Sequence, residues 1–187
     1  MSGRIGLSIA LVCLIALAIG CSSTRVPTVI PGESDDAGVG SIDLAQSGAR
    51  FTTGALPGGW NRLRGGGATV AFTRADNRQS IFINVIYAPN RKADVQSLRN
   101  HLLFDITSRE ISEQETIEVD NREALWTVVE GRLDGARVKM AVVVLRMDAW
   151  IYDFCYVSVP EYFDEALADF QRFVHDFHHH RTYPPGE

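Results

Sequence analysis

The chain has 187 residues, a formal net charge of −5, 45% hydrophobic residues and 9% aromatics. That length and apolar content suit one domain with a buried core plus flanking segments. Acidic residues outnumber basic ones and no run of Lys or Arg occurs, which argues against nucleic acid as a partner, because phosphate binding needs a concentrated positive surface.

From Ile5 to Gly20 nearly every residue is apolar or small, with Arg4 just ahead. The run is shorter than the roughly 18–20 residues that span a hydrocarbon core, so residues 1–20 read as a secretory signal peptide. It stops at Leu17-Ala18-Ile19-Gly20-Cys21, which resembles the lipobox of bacterial lipoproteins. Ala18 and Ile19 stand where Leu followed by Ala or Ser is commonest. The resemblance implies cleavage before Cys21, diacylglycerol on its thiol and acylation of its amino group. It further implies membrane attachment through the lipid anchor in the bacterial cell envelope. Ser22 after the cysteine points to an outer membrane, facing the periplasm, in a cell that has one. Two or more chains anchor stably where one binds marginally. The alternative is an ordinary cleaved signal, or a short signal anchor, with Cys21 incidental.

Residues 21–48 are rich in Ser, Gly, Pro and Asp without periodicity and read as a flexible tether. A folded domain is expected over 49–180, with a short tail at 181–187. Strands are expected near 49–53, 68–74 and 79–87, punctuated by Gly, Pro, Asn and Asp. The connection "PGGWNRLRGGG" lacks the Gly-Lys-Ser or Gly-Lys-Thr ending of a phosphate loop and precedes no helix. It reads as a Gly-rich link in which Leu56, Pro57 and Trp60 pin the loop to the sheet edge.

From Asp94 the period changes, with Val95, Leu98, Leu102 and Ile106 at helical spacing and Asp94 as cap, predicting a helix over 94–109. Four strands follow, "ISEQETIEV", "REALWTVVEGRL", "ARVKMAVVVLRM" and "AWIYDFCYVSV", with Asp120-Asn121, Asp134-Gly135 and Asp148 at the turns. Such short links force antiparallel neighbours. The stretch from Pro160 to the histidines predicts a second helix, with Phe163, Leu167, Phe170, Val174 and Phe177 on one stripe. The fold class is therefore α+β, an antiparallel sheet of about six to seven strands packed with two amphipathic helices.

Over residues 49–178 the "F.....LPGGW" opening, the central helix, the meander ending in an aromatic strand and the closing "FDEALADFQRFVHDF" resemble the PsbP-like α/β sandwich. That fold is shared by PsbP, by a Ran-binding nuclear regulator and by bacterial proteins that are often lipid-anchored. The resemblance implies protein binding without catalysis and carries over no functional residue.

The chemistry-bearing residues are few. Cys13 leaves with the signal and Cys21 carries lipid, so Cys155 stands alone inside an apolar strand and reads as an inert core thiol. His175 and His179 lie at i, i+4 and are weak metal candidates, although no completing ligand is identifiable and no metal or other cofactor is expected. No nucleophile elbow, zinc-hydrolase motif or dinucleotide fingerprint is present. Trp150, Tyr152, Phe154 and Tyr156 share one face of their strand. Either they fill a core, or Trp150, Tyr152 and Tyr156, with Trp60, form a partner or ligand surface.

The leading expectation is a noncatalytic, lipid-anchored module that binds another envelope protein or supports an envelope assembly. A carrier or sensor for a small apolar ligand or metal ion is second, and an unrecognised envelope hydrolase third. A wide pocket at the aromatic face favours the carrier. A filled core with apolar residues exposed along one edge favours the binding module.

Overall fold

In the computed structural model, which describes residues 41–44, 49–63, 70–90 and 92–180, the turns of the meander set the architecture. Asp120 and Asn121 have φ of 49° and 60°, and Asp134 and Gly135 have 48° and 84°. Both central positions of a type I′ hairpin need positive φ, which Asn, Asp and Gly tolerate. These turns join β6 (Thr107–Val119), β7 (Arg122–Leu133) and β8 (Ala136–Met147), and the turn at Asp148 leads into β9 (Trp150–Ser158).

The remaining strands of the large sheet are β3 (Trp60–Leu63), β4 (Val70–Arg74) and β5 (Gln79–Tyr87). The seven strands run β3-β4-β5-β9-β8-β7-β6, all antiparallel, with β9 inserted against β5. A small sheet holds β1 (Ser41–Leu44), β2 (Ala49–Thr52) and β10 (His178–His180) in the order β1-β2-β10. The α+β class and the two helices agree with the sequence reading.

Those helices are α1 (Val95–Leu102) and α2 (Asp164–His175), the latter entered through a 3-10 turn at Pro160–Tyr162. They cover opposite faces of the sheet. Leu98 packs with Val144 and Ile151 on one face, and Leu103 and Ile106 join Val129, Val142, Cys155 and Val157 beside them. On the other face Phe163, Phe170, Phe173, Val174 and Phe177 meet Trp126, Tyr152, Phe154 and Tyr156. A strand apolar on both sides needs cover on both, and β9 is buried along its whole length. Each fully buried side chain of this size contributes about 1.5–3 kcal/mol of transfer free energy.

Three expectations change. The first helix stops at Leu102, not 109, although Asp94 caps it as expected, accepting from Ser97 N at 2.8 Å. Leu103 and Ile106 drop into the core, and Thr107 pairs with Arg132 of β7. Gly131 permits this approach, because a Cβ there would sit 2.5 Å from Ile106 Cγ2 and 2.9 Å from the Thr107 carbonyl oxygen. Secondly, the folded unit begins before residue 49, since Ser41–Leu44 pairs with Ala49–Thr52. Thirdly, the histidine run does not prolong the last helix but forms β10, opposite Arg50–Thr52. The signal segment, Cys21, most of the tether and the 181–187 tail lie outside the described residues. Among the described residues no helix is long and apolar enough to cross a membrane.

Candidate binding surface

The rings of the aromatic strand are core, and so is Trp60. Trp60 and Trp150 are 5% and 4% exposed, and Tyr152 and Tyr156 are 0%. Tyr152 meets Phe51, Phe154 and Phe177 at centroid distances of 5.8, 6.3 and 4.9 Å, and Tyr156 meets Phe163 and Phe170 at 5.2 and 5.8 Å. The phenol of Tyr156 donates to the Phe163 carbonyl at 2.8 Å, and burial pushes its pKa up to about 12. These four residues therefore present no open partner or ligand surface. The sequence alternation identified the face correctly but could not tell which element would cover it.

Trp60 is held by α2. Its indole Nε1 donates to Asp169 Oδ2 at 3.0 Å, and the Arg74 guanidinium lies over the ring and 3.6 Å from the same carboxylate. Leu56 is buried beside it in the main core, whereas Pro57 is exposed. The pinning expected of this loop thus runs through Leu56 and Trp60, not Pro57, and its partner is α2.

The histidines are not brought together as a metal pair. His175 ends α2, with Nδ1 2.7 Å from Asp176 Oδ1. His179 sits on β10, with Nδ1 2.6 Å from the Tyr152 hydroxyl. No group of three potential metal ligands assembles among the described residues. Burial, reinforced by the Asp120 charge, raises the Tyr152 pKa and keeps the phenol protonated, and which of the two groups donates is set by the imidazole tautomer. Asp120, in the β6–β7 turn, accepts from the backbone N–H of His179 at 2.8 Å and lies 3.1 Å from His178 Nδ1. Burial alone would raise the Asp120 pKa, but these bonds and the neighbouring imidazoles outweigh it and bring it below the ordinary carboxylate value. Because Tyr152 is sealed from solvent, the Asp120–His178–His179–Tyr152 group acts as a clasp that ties β10 to the large sheet. Cys155 is also sealed, and burial, helped by the Asp153 charge, raises its thiol pKa well above normal.

Among the described residues the large sheet ends in two edge strands, the four-residue β3 and the much longer β6. β6 is 13 residues long, ends the strand order, and is exposed from Thr107 through Thr116. An edge strand presents unpaired backbone N–H and C=O groups along its free side. Register against β7 puts Glu110, Glu113 and Glu115 on one face, opposite Glu130, Val128 and Trp126, while Glu118 faces Glu123. None of Glu110, Glu113, Glu115, Glu118 and Glu123 has an ion-pair partner among the described residues. Ile111 of β6 is 43% exposed, and Phe104, in the link from α1, is 79% exposed. A cleft of about 210 Å³ lies at the start of the strand, between Ser108, Glu110, Glu130, Arg132 and Arg137. Arg137 is bound to Glu130 at 2.7 Å there. Sequence reasoning placed this strand but missed its position. The available signal was four glutamates within "REISEQETIEV", too polar for a strand with neighbours on both sides.

The solution structure of cyanobacterial PsbP (CyanoP) from Synechocystis matches with a TM-score of 0.54 at 14% identity, covering 81% of this chain and 96% of that one. The fold is PsbP-like. LpqN, involved in cell envelope biogenesis of Mycobacterium tuberculosis, matches with a TM-score of 0.54 at 10% identity, over 73% of this chain and 86% of its own. The Ran-binding protein Mog1p of Saccharomyces cerevisiae matches with a TM-score of 0.50 at 15% identity, over 75% and 94%. No protein-family model matches the chain, and no curated relative does either. At these identities the PsbP-like neighbours establish the architecture alone.

Proposed function

We propose that this chain is a noncatalytic binding module, anchored in the bacterial envelope by lipid on Cys21, that engages another envelope protein. The observation that carries the binding role is the distribution of cover. Helices cover both sheet faces and the aromatic strand is filled core, while apolar side chains stay exposed at Ile86 and Tyr87 on β5 and at Phe104 and Ile111 beside the long acidic edge strand β6. A filled core with a long open edge strand suits recognition of a macromolecule better than carriage of a small apolar ligand. Similarity in fold to a protein involved in envelope biogenesis and to a Ran-binding protein supports the same reading. Anchoring is supported by the "LIALAIGCSS" sequence, and Ser22 favours the periplasmic face of an outer membrane.

Two measurements test it. The parent and Cys21→Ala are grown with labelled fatty acid and fractionated. Loss of label and of membrane retention in the variant is expected, and equal labelling with equal retention would refute the anchor. Crosslinking in the intact envelope should then trap a protein on the folded domain. Recovery of none, with a defined small molecule in native mass spectra, would replace the binding module by a carrier.

A further inference from the structure

We infer that the bulge-free part of β6, Glu113–Val119, is a docking edge for an extended basic segment of the partner protein, which adds to the large sheet as an eighth strand. This rests on the binding-module reading and names the chemistry of its partner. The pairing of β6 with β7 is irregular between Thr107 and Glu113 but continuous from Glu113 to Val119. Seven residues in regular register offer about 23 Å of edge at ~3.3 Å per residue. The other side of that stretch is unpaired by any described strand.

Charge selects the occupant. Glu113, Glu115 and Glu118 line the stretch, Glu123 faces Glu118 across the ladder, and no basic residue lies between Glu110 and Asn121. A second copy pairing through its own β6 would set glutamates against glutamates, and like charges opposite each other destabilise a sheet. The chain's own tether is also a poor match, because Glu33, Asp35, Asp36 and Asp43 outnumber its single Arg25. The glutamates thus block self-pairing, a recognised defence of edge strands, and admit a strand of opposite charge. Strand addition takes affinity from main-chain hydrogen bonds and specificity from alternate side chains. Glu113 and Glu115 share a face with Ile117, so the partner strand should carry Lys or Arg at alternate positions followed by an apolar residue on that face.

The test uses the full chain in neutral detergent micelles and three end-capped heptapeptides. One alternates Lys and Val, one alternates Glu and Val, and one is the Lys/Val peptide with every backbone amide N-methylated, which blocks backbone pairing through both of its edges. The Lys/Val peptide should bind saturably and slow amide exchange over Glu113–Val119. Binding should weaken about tenfold when salt is raised or when Glu113 and Glu115 are both changed to Lys. The Glu/Val peptide should then bind the variant, and the N-methylated peptide should bind neither protein. Circular dichroism checks that Glu113→Lys/Glu115→Lys is folded, and Glu113→Gln/Glu115→Gln replaces it if it is not. No binding, protection mapped elsewhere, insensitivity to charge reversal, or equal affinity for the N-methylated peptide would each overturn the proposal. A photocrosslinking residue placed at Gln114 or at Asn61, on the opposite edge strand β3, separates this from the broader reading. Protein captured from Asn61 alone sinks the β6 edge and keeps the binding module. Capture from neither sinks both.

Discussion

Gly54 sits where the loop after β2 touches the last turn of α2, and replacing it with Ala measures how tightly that contact is closed. A Cβ on Gly54 would lie 2.4 Å from the Arg172 carbonyl oxygen, 3.0 Å from its carbon and 3.1 Å from Phe173 Cα, all backbone atoms. Carbon and oxygen rest at about 3.3–3.6 Å, so loop and helix must separate by nearly 1 Å. The Gly54 N–H also donates to the Phe173 carbonyl at 3.2 Å, a bond that the separation would break. Overpacking costs about 1–3 kcal/mol and the lost bond about 1 kcal/mol, giving a destabilisation of about 2–4 kcal/mol. That is a large share of the ~5–15 kcal/mol that holds most domains folded. Urea unfolding followed by the fluorescence of the buried Trp60, Trp126 and Trp150 reads it directly. With a slope near 2 kcal/mol/M the midpoint should fall by about 1–2 M. Gly58→Ala is the control, because nothing lies within 4 Å of the Cβ it would gain; its midpoint should move by less than about 0.5 kcal/mol equivalent. Matching midpoints for the two variants would refute the close approach of loop and helix.

The clasp gives a pH dependence. The Asp120 carboxyl has a folded pKa below the ordinary carboxylate value, so its contribution is complete above that ordinary value and is lost as pH falls through the folded pKa. Asp120→Asn should lower stability by about 1 kcal/mol at pH 7 and lose less than the parent between pH 5 and 2 in urea titrations run at each pH; parallel curves would show that the carboxylate is not what ties β10 down. Phe170→Ala removes a ring that packs on Trp126 and Tyr156 at 5.8 Å each, and it should cost about 3–5 kcal/mol and lower Tm by about 10 °C, as read by calorimetry. In a chain whose Cys13 and Cys21 are changed to Ser, Cys155 should alkylate at pH 8 only as fast as the domain unfolds; rapid labelling under native conditions would show that the thiol is accessible and reactive.

Much of the architecture was written locally. The Asp120-Asn121 and Asp134-Gly135 pairs specify tight turns from their own backbone preferences, and tight turns leave the strands they join no choice but antiparallel pairing. Asp94 caps its helix through Ser97, three residues away. The period of two along "WIYDFCYVSV" separated Trp150, Tyr152, Phe154 and Tyr156 from Ile151, Cys155 and Val157, and that separation is the one the core clusters display. The segment "LIALAIGCSS" likewise carries its expectation in ten consecutive residues.

What depended on partners far along the chain was not legible. The helical spacing from Val95 to Ile106 runs past the true end of α1, because Thr107 gains a strand partner in Arg132 that no local pattern reveals. The histidines look like a helix end until Phe51 lies opposite His179 and Asp120 accepts its N–H. Whether the aromatic face was groove or core was decided by α2 crossing that face while α1 crosses the other. The sheet edge was hidden for the same reason. Alternation sorts side chains between two faces, but nothing in it says which strand will lack a neighbour. The sequence by itself determined the elements, their turns and their buried faces through short-range sterics and periodicity. Only the tertiary structure decided which surfaces closed on one another, and so left Glu113–Val119 with no described strand on its outer side.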